Sequence, residues 1–189
     1  MSESGKDIAV ILAKLVLVSL VAAALLGITF VPTQEQLKIN AIEQQKMALA
    51  EIFPQATEFE EVYGTVPDEE GELPVLYYRA LDSSGNLVGY AFFQDFPGSQ
   101  GQIRIAGGID PSFSTVAGVQ VMKHSETPGL GAKIVETDFR DQFLGVPLAD
   151  MALSKDGGKI DAITGASISS QAVVDALKAG IDSVKEQES

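Results

Sequence analysis

Ile8 to Val31 reads IAVILAKLVLVSLVAAALLGITFV, 24 residues in which Lys14 is the only charge. A helix that is apolar all round cannot lie on the surface of a water-soluble domain. At 1.5 Å per residue the run makes about 36 Å of helix, enough to cross a hydrocarbon core of about 30 Å with some tilt. Lys14 sits close enough to one end to reach the interface along its own stem. The segment therefore reads as a single uncleaved membrane span over 8–31, behind a polar tail over 1–7. A cleaved signal peptide is the competing reading, and Ala22-Ala23-Ala24 imitates its small-residue site. The apolar core of such a peptide is only roughly 7–15 residues long, whereas this run continues through Leu25, Leu26, Ile28 and Phe30. Lys6 and Lys14 on one side balance Lys38 and Lys46 on the other. Orientation then rests on the short N-terminal tail, which favours an extracytoplasmic domain in a single-pass cell-membrane protein.

Pro32 is expected to end the span, because proline removes a helical hydrogen bond. Helical spacing resumes over Glu35–Phe53, with Ile39, Ile42, Leu49, Ile52 and Phe53 near one face, which makes 32–57 a helical stem. Residues 58–189 are left for a domain, long enough to bury a real core. The net charge is −13, and since Lys6 and Lys14 cancel Glu3 and Asp7, all of it belongs to the part beyond the span. Such a domain repels nucleic-acid phosphates, so no nucleic-acid partner is expected. The chain has no cysteine and one histidine, His124. That excludes disulfides, thiolate-ligated zinc, iron–sulfur clusters and thiol nucleophiles, and leaves any electron handling to an organic cofactor.

Residues 58–74 are acidic, carry Pro and Gly, and read as a surface loop. Beyond them Val75–Leu81, Leu87–Phe93, Ile103–Ile109 and Val116–Met122 are strand-like and separated by turn signals, the first pair by Asp82-Ser83-Ser84-Gly85-Asn86. Thr137–Phe143 predicts a short helix. Ser167–Lys185 predicts a long one, with Ala172, Val173, Ala176, Leu177, Gly180, Ile181 and Val184 at helical spacing. The fold class is α+β: a transmembrane helix, a helical stem, an antiparallel sheet and a closing C-terminal helix.

Asp161-Ala162-Ile163-Thr164-Gly165-Ala166-Ser167-Ile168-Ser169-Ser170 lies where a loop enters that last helix. Unpaired N–H groups and a partial positive charge at a helix start stabilise a phosphate. Gly165 and Ala166 leave room for its approach, and Thr164, Ser167, Ser169 and Ser170 offer hydroxyls to bond it or be esterified by it. An ordinary cap is the alternative, since Ser and Thr gather at helix starts without any ligand. A second stretch, Glu126-Thr127-Pro128-Gly129-Leu130-Gly131, imposes a close-approaching backbone turn, with Glu126 and Thr127 able to hydrogen-bond a cofactor. A plain Pro-Gly turn is its alternative. His124 has no second His or Cys with which to build a metal site. Gly98-Ser99-Gln100-Gly101 lacks the Lys-Ser/Thr of a P-loop and reads as a turn.

Asp161-Ala-Ile-Thr164-Gly165-Ala166-Ser167 resembles the flavinylation signature of the FMN-binding domain family, an acid followed by Ser/Thr-Gly-Ala-Thr. His124-x-Glu126-Thr127-Pro128-Gly129-Leu130-Gly131 is similar to a stretch of the G subunit of Rnf complexes and the C subunit of sodium-translocating NADH:quinone reductases. The resemblance implies an FMN-binding domain over 58–189 and FMN held covalently by a phosphodiester. By position the acceptor is Ser167, where the family usually has threonine; Ser169 is the second candidate. It further implies a cofactor site built from Thr164, Gly165, Ala166, Ser169, Glu126, Thr127, Gly129 and Leu130, with no catalytic nucleophile and no metal. The implied partners are the other membrane subunits of an Rnf-type complex, a flavin transferase for maturation, and the membrane through one helix. The implied role is electron transfer in an ion-translocating oxidoreductase. A C subunit of the quinone reductase, or a membrane-anchored assembly module without redox function, stand as alternatives.

Overall fold

The computed structural model describes residues 3–67, 71 and 73–188. It divides into two compact units, Met1–Glu43 and Gln44–Ser189. Helix α1 spans Glu3–Ile52 without interruption. The break expected at Pro32 is absent: a proline removes a single backbone donor, and helical geometry continues on both sides of it. In the first unit the described large apolar side chains from Ile8 to Leu25 are all more than half exposed, Val18 at 66 %. Among the described residues no helix is long and apolar enough to cross a membrane.

The second unit is built on five antiparallel strands in chain order: β1 Glu58–Tyr63, β2 Val75–Leu81, β3 Leu87–Pro97, β4 Gln102–Ile109 and β5 Val116–Lys123. β1 replaces the surface loop expected there. Its three glutamates hid it: only Phe59 and Val62 turn partly inward, and charge on an edge strand blunts further pairing. β2 begins and ends where alternation placed it, while β3 runs four residues past Phe93 and pairs with β4 as far as Pro97↔Gln102. The short helix α2 (Thr137–Arg140) passes into a 3-10 turn over Asp141–Phe143, and α3 covers Ser167–Glu188.

The sheet is covered on both faces. On one side α3 buries Val173, Leu177, Ile181 and Val184 with Phe92, Ile103, Ile105 and Ile109. On the other, Ala48, Leu49, Ile52 and Phe53 at the end of α1 pack with Ala80, Ala91 and Ala106. Two adjacent glycines of β4 allow both layers to come close. A Cβ at Gly107 would lie 2.6 Å from the Phe92 ring, and one at Gly108 would lie 2.4 Å from Ile52 on the opposite face. The far end of α3 is clamped by Glu188, which accepts hydrogen bonds from the Tyr77 hydroxyl, from Arg79 (2.7 and 3.0 Å) and from the Tyr90 hydroxyl (3.2 Å). Burial, with the adjacent Glu188 carboxylate, pushes Tyr77 up to about 12. This clamp and the covered sheet fix the opposite, N-terminal end of α3 relative to the turns after β3 and β5.

Candidate functional site

Three turns meet at that end. The 98–101 turn follows β3, the Glu126–Gly131 turn follows β5, and the 164–166 turn opens α3. Together Ser99, Glu126, Thr127, Leu130, Gly131, Gly165, Ala166, Ser167, Ile168 and Ser169 line a cleft of about 290 Å³. The structure thus brings together two sequence stretches more than thirty residues apart, and adds a third that sequence reasoning dismissed as a turn. Contact between them is direct. Gly165 adopts φ 78°, and a Cβ there would lie 3.0 Å from Leu130 Cδ1. The left-handed backbone favours glycine there, and the leucine packed over it leaves little room for a side chain.

Glu126 is the buried polar centre, only 5 % exposed. Its Oε1 accepts the Gln100 N–H at 3.0 Å and its Oε2 accepts the Ser169 hydroxyl at 2.5 Å. Burial pushes this carboxyl up, but the Gln100 N–H, the Ser169 hydroxyl, the Ser99 N–H and nearby His124 together outweigh it and hold the carboxyl below its ordinary value. His124 Nδ1 in turn accepts the Glu126 N–H at 3.2 Å. The histidine braces the turn and lines no part of the cleft.

The hydroxyls divide sharply. Ser169 and Ser170 are buried, and both are spent inside the protein. Ser170 Oγ accepts the Ile163 N–H and donates to the Ala166 carbonyl, each at 3.0 Å. Thr164 and Ser167 are exposed, but only Ser167 borders the cleft. Among the described residues no protein group engages the Ser167 hydroxyl. Ser167 and the 65 % exposed Ile168 also border a second cleft of about 260 Å³, whose far walls are Phe96, Pro97, Lys155 and Gln171. Thr127 lines the first cleft while its carbonyl receives the Leu130 and Ala132 N–H groups. Gly129, at φ 73°, shapes that turn from outside the cleft.

The donor set fits a phosphorylated cofactor. A free hydroxyl stands on the first turn of a 22-residue helix, where backbone N–H groups lack intrahelical acceptors. Gly131 lets its turn pack against the Glu126–Ser169 pair beneath the cleft, since a Cβ there would close to 2.8 Å on both Glu126 Oε2 and Ser169 Oγ. Among the described residues no cluster of His, Cys, Asp or Glu could hold a metal.

Residues 98–182 match the FMN-binding domain family. The chain is 54 % identical over its whole length, and the whole length of the relative, to the G subunit of the ion-translocating oxidoreductase complex of Methanosarcina acetivorans. It is 34 % identical to the protein of the same name from Pasteurella multocida, with 87 % of each chain covered. Among solved structures, the C subunit of the Na(+)-translocating NADH-quinone reductase from Parabacteroides distasonis aligns with a TM-score of 0.49 at 23 % identity, over 58 % of this chain and 60 % of that one.

Proposed function

Because the chain belongs to the family of ion-translocating oxidoreductase complex G subunits, with an FMN-binding domain over 98–182, we propose that it is the electron-transfer subunit of an Rnf-type complex, carrying FMN esterified to Ser167. The carrying observation is the fate of the four hydroxyls: Ser169 and Ser170 are buried and bonded, Thr164 lies off the cleft, and Ser167 alone is exposed, unengaged and on the cleft wall. FMN supplies one- and two-electron chemistry when bound. The chain supplies its placement. Thr127 and Leu130 face the same cleft, Gly165 admits a close approach to the backbone, and the start of α3 favours a negative phosphate.

A phosphate monoester does not become a diester in water without activation, so the donor in this reading is a flavin dinucleotide acted on by a separate transferase. The Ser167 O–H bond breaks and an O–P bond forms to the flavin phosphate. The phosphoanhydride P–O bond breaks, and the nucleoside monophosphate leaves while the proton passes to solvent. No electrons are exchanged in that step. Serine carries the same nucleophilic oxygen as the threonine usual at this position.

Membrane anchoring through residues 8–31 and an extracytoplasmic domain belong to the same proposal. The anchor is supported by the apolar run and by the exposure of its described side chains, and the extracytoplasmic side by the short polar N-terminal tail. Covalent attachment suits such a domain, where a dissociable flavin would be lost. The partners in this reading are the other membrane subunits of the complex.

The test is to produce the full chain with a flavin transferase and examine denaturing gels for flavin fluorescence. A fluorescent band is expected from the parent chain and from Ser169→Ala after prolonged labelling, and none from Ser167→Ala. A band that persists without Ser167 overturns the assignment.

A further inference from the structure

We propose that Glu126 is the positioning residue of the acceptor turn: anchored on the 99–100 turn, its carboxylate holds Ser169 and so sets the direction in which the Ser167 hydroxyl leaves the helix. The inference rests on the reading of Ser167 as the acceptor. Glu126 borders the cleft, but its oxygens are committed elsewhere, one to the Gln100 N–H at 3.0 Å and one to the Ser169 hydroxyl at 2.5 Å. The chain is shaped around that carboxylate. A Cβ at Gly98 would lie 2.5 Å from Oε1, and one at Gly131 would lie 2.8 Å from Oε2. Three segments distant in sequence therefore converge on one group that is 5 % exposed.

Ser169 lies two residues beyond Ser167 in the same turn of α3, and helix ends fray when their terminal groups are not held. Among the described residues no side-chain bond holds Ser167 itself. Its orientation is inherited from its neighbours, Ser169 bonded to Glu126 and Ser170 bonded to the Ala166 carbonyl and the Ile163 N–H. An ionised acceptor makes shorter and stronger bonds than a neutral one and can serve both donors at once. Glutamine keeps the volume but has one acceptor oxygen; with that oxygen on the Gln100 N–H, its N–H₂ faces a Ser169 hydroxyl that must turn round to accept, and the charge-assisted bond from Ser169 to the carboxylate is lost. The transfer described above needs the Ser167 oxygen in line with the anhydride bond that breaks. An orientational error there lowers the turnover step and leaves docking of the transferase unchanged.

The experiment uses the full chain, purified without flavin, with the transferase and flavin adenine dinucleotide, and measures initial labelling rates. Glu126→Gln and Ser169→Ala are each expected to lower kcat roughly 10- to 100-fold, with KM for the chain held within about twofold and the chain still folded at the assay temperature. Amide hydrogen exchange over 165–169, read without any flavin, is expected to quicken in both variants. The double variant should be no slower than the slower single one, because both remove the same bond. Labelling of Glu126→Gln at the parent rate overturns the proposal. So does a loss that follows a raised KM or global unfolding in both variants, and so does a double variant in which the two losses multiply. If Glu126→Gln fails to fold, Ser169→Ala decides alone by the same criteria. Ser167→Ala keeps the two readings apart, because label that survives in it removes the acceptor assignment whatever Glu126 does.

Discussion

Two turns in this protein have nearly the same ingredients, an acid followed by several hydroxyl residues, and put them to opposite use. In the first, Asp110 to Thr115, the turn's own acid gathers everything. The Asp110 carboxylate accepts the hydroxyls of Ser112 and Ser114, the latter at 2.9 Å, and the N–H groups of Ser114 and Thr115, each at 2.7 Å. In the second, Asp161 to Ser170, the acid of the motif is exposed and engages through its backbone: its N–H donates to Gln142 Oε1 at 2.7 Å. The organising carboxylate is Glu126, supplied from another turn, and it takes Ser169 while leaving Ser167 unclaimed. An acid–hydroxyl turn is therefore not a site by composition. The second turn differs in that its acid comes from outside and its leading hydroxyl is left over.

The sharpest way to break this contrast is at Ser170. Its hydroxyl is fully buried and bridges the Ile163 N–H to the Ala166 carbonyl. Ser170→Ala leaves the half-buried Ile163 N–H without that partner, so the domain should lose about 1–2 kcal/mol, measured as a lower urea midpoint with an unchanged slope. A midpoint within error of the parent would mean that the acceptor turn does not depend on its inward hydroxyls.

Asp110 provides the next, smaller test. Partial burial pushes its carboxyl up, but the bonds from Ser112, Thr115 and Ser114 prevail and bring it from 3.8 down to about 2. A folded value below the unfolded one means stability that is present above the ordinary carboxylate range and is lost as pH falls towards about 2. The carboxylate is only partly buried, so the contribution at neutral pH is set at about 1 kcal/mol after allowing for screening. Asp110→Asn should cost about that much at pH 7, and the gap from the parent should close between about pH 4 and pH 2. Covalent flavin labelling should be unaffected. A loss of labelling would show that the two turns are coupled and that the contrast between them is false.

The sheet was legible because β2 to β5 alternate or run apolar between clear turn signals. β1 was not, because the edge charges that protect a sheet also resemble a loop. The site was half legible. Ser167 and its glycine could be placed from the motif, but the inward fate of Ser169 and Ser170 depends on helical phase. That phase was in the sequence: Ser170 lies on one stripe with Val173, Leu177 and Ile181, whereas Ser167 lies on another with Gln171 and Asp175, which hydrogen-bond to each other at 2.9 Å on the polar side. The partnership of Gln100 with Glu126 left no local signal, because it joins backbone to side chain across 26 residues. Only the glycines at 98 and 101 marked that turn as a place of close approach.

The smallest expected effect is the most specific. Ser112 donates to Asp110 from an exposed position, in a turn whose backbone bonds to the same carboxylate remain when the hydroxyl is removed. Ser112→Ala should therefore cost within about 0.5 kcal/mol in chemical denaturation and leave covalent labelling at the parent level. Its counterpart by position in the other turn is Ser167, also exposed and also early among the hydroxyls, where the same substitution is expected to remove the label altogether and barely alter stability. Ser112→Ala removes a bond to an acid and Ser167→Ala removes none, so the outcome depends on whether the hydroxyl had already found an acid. A measurable labelling defect in Ser112→Ala would deny that distinction, because the hydroxyl already bound to its acid would then be serving the cofactor as well.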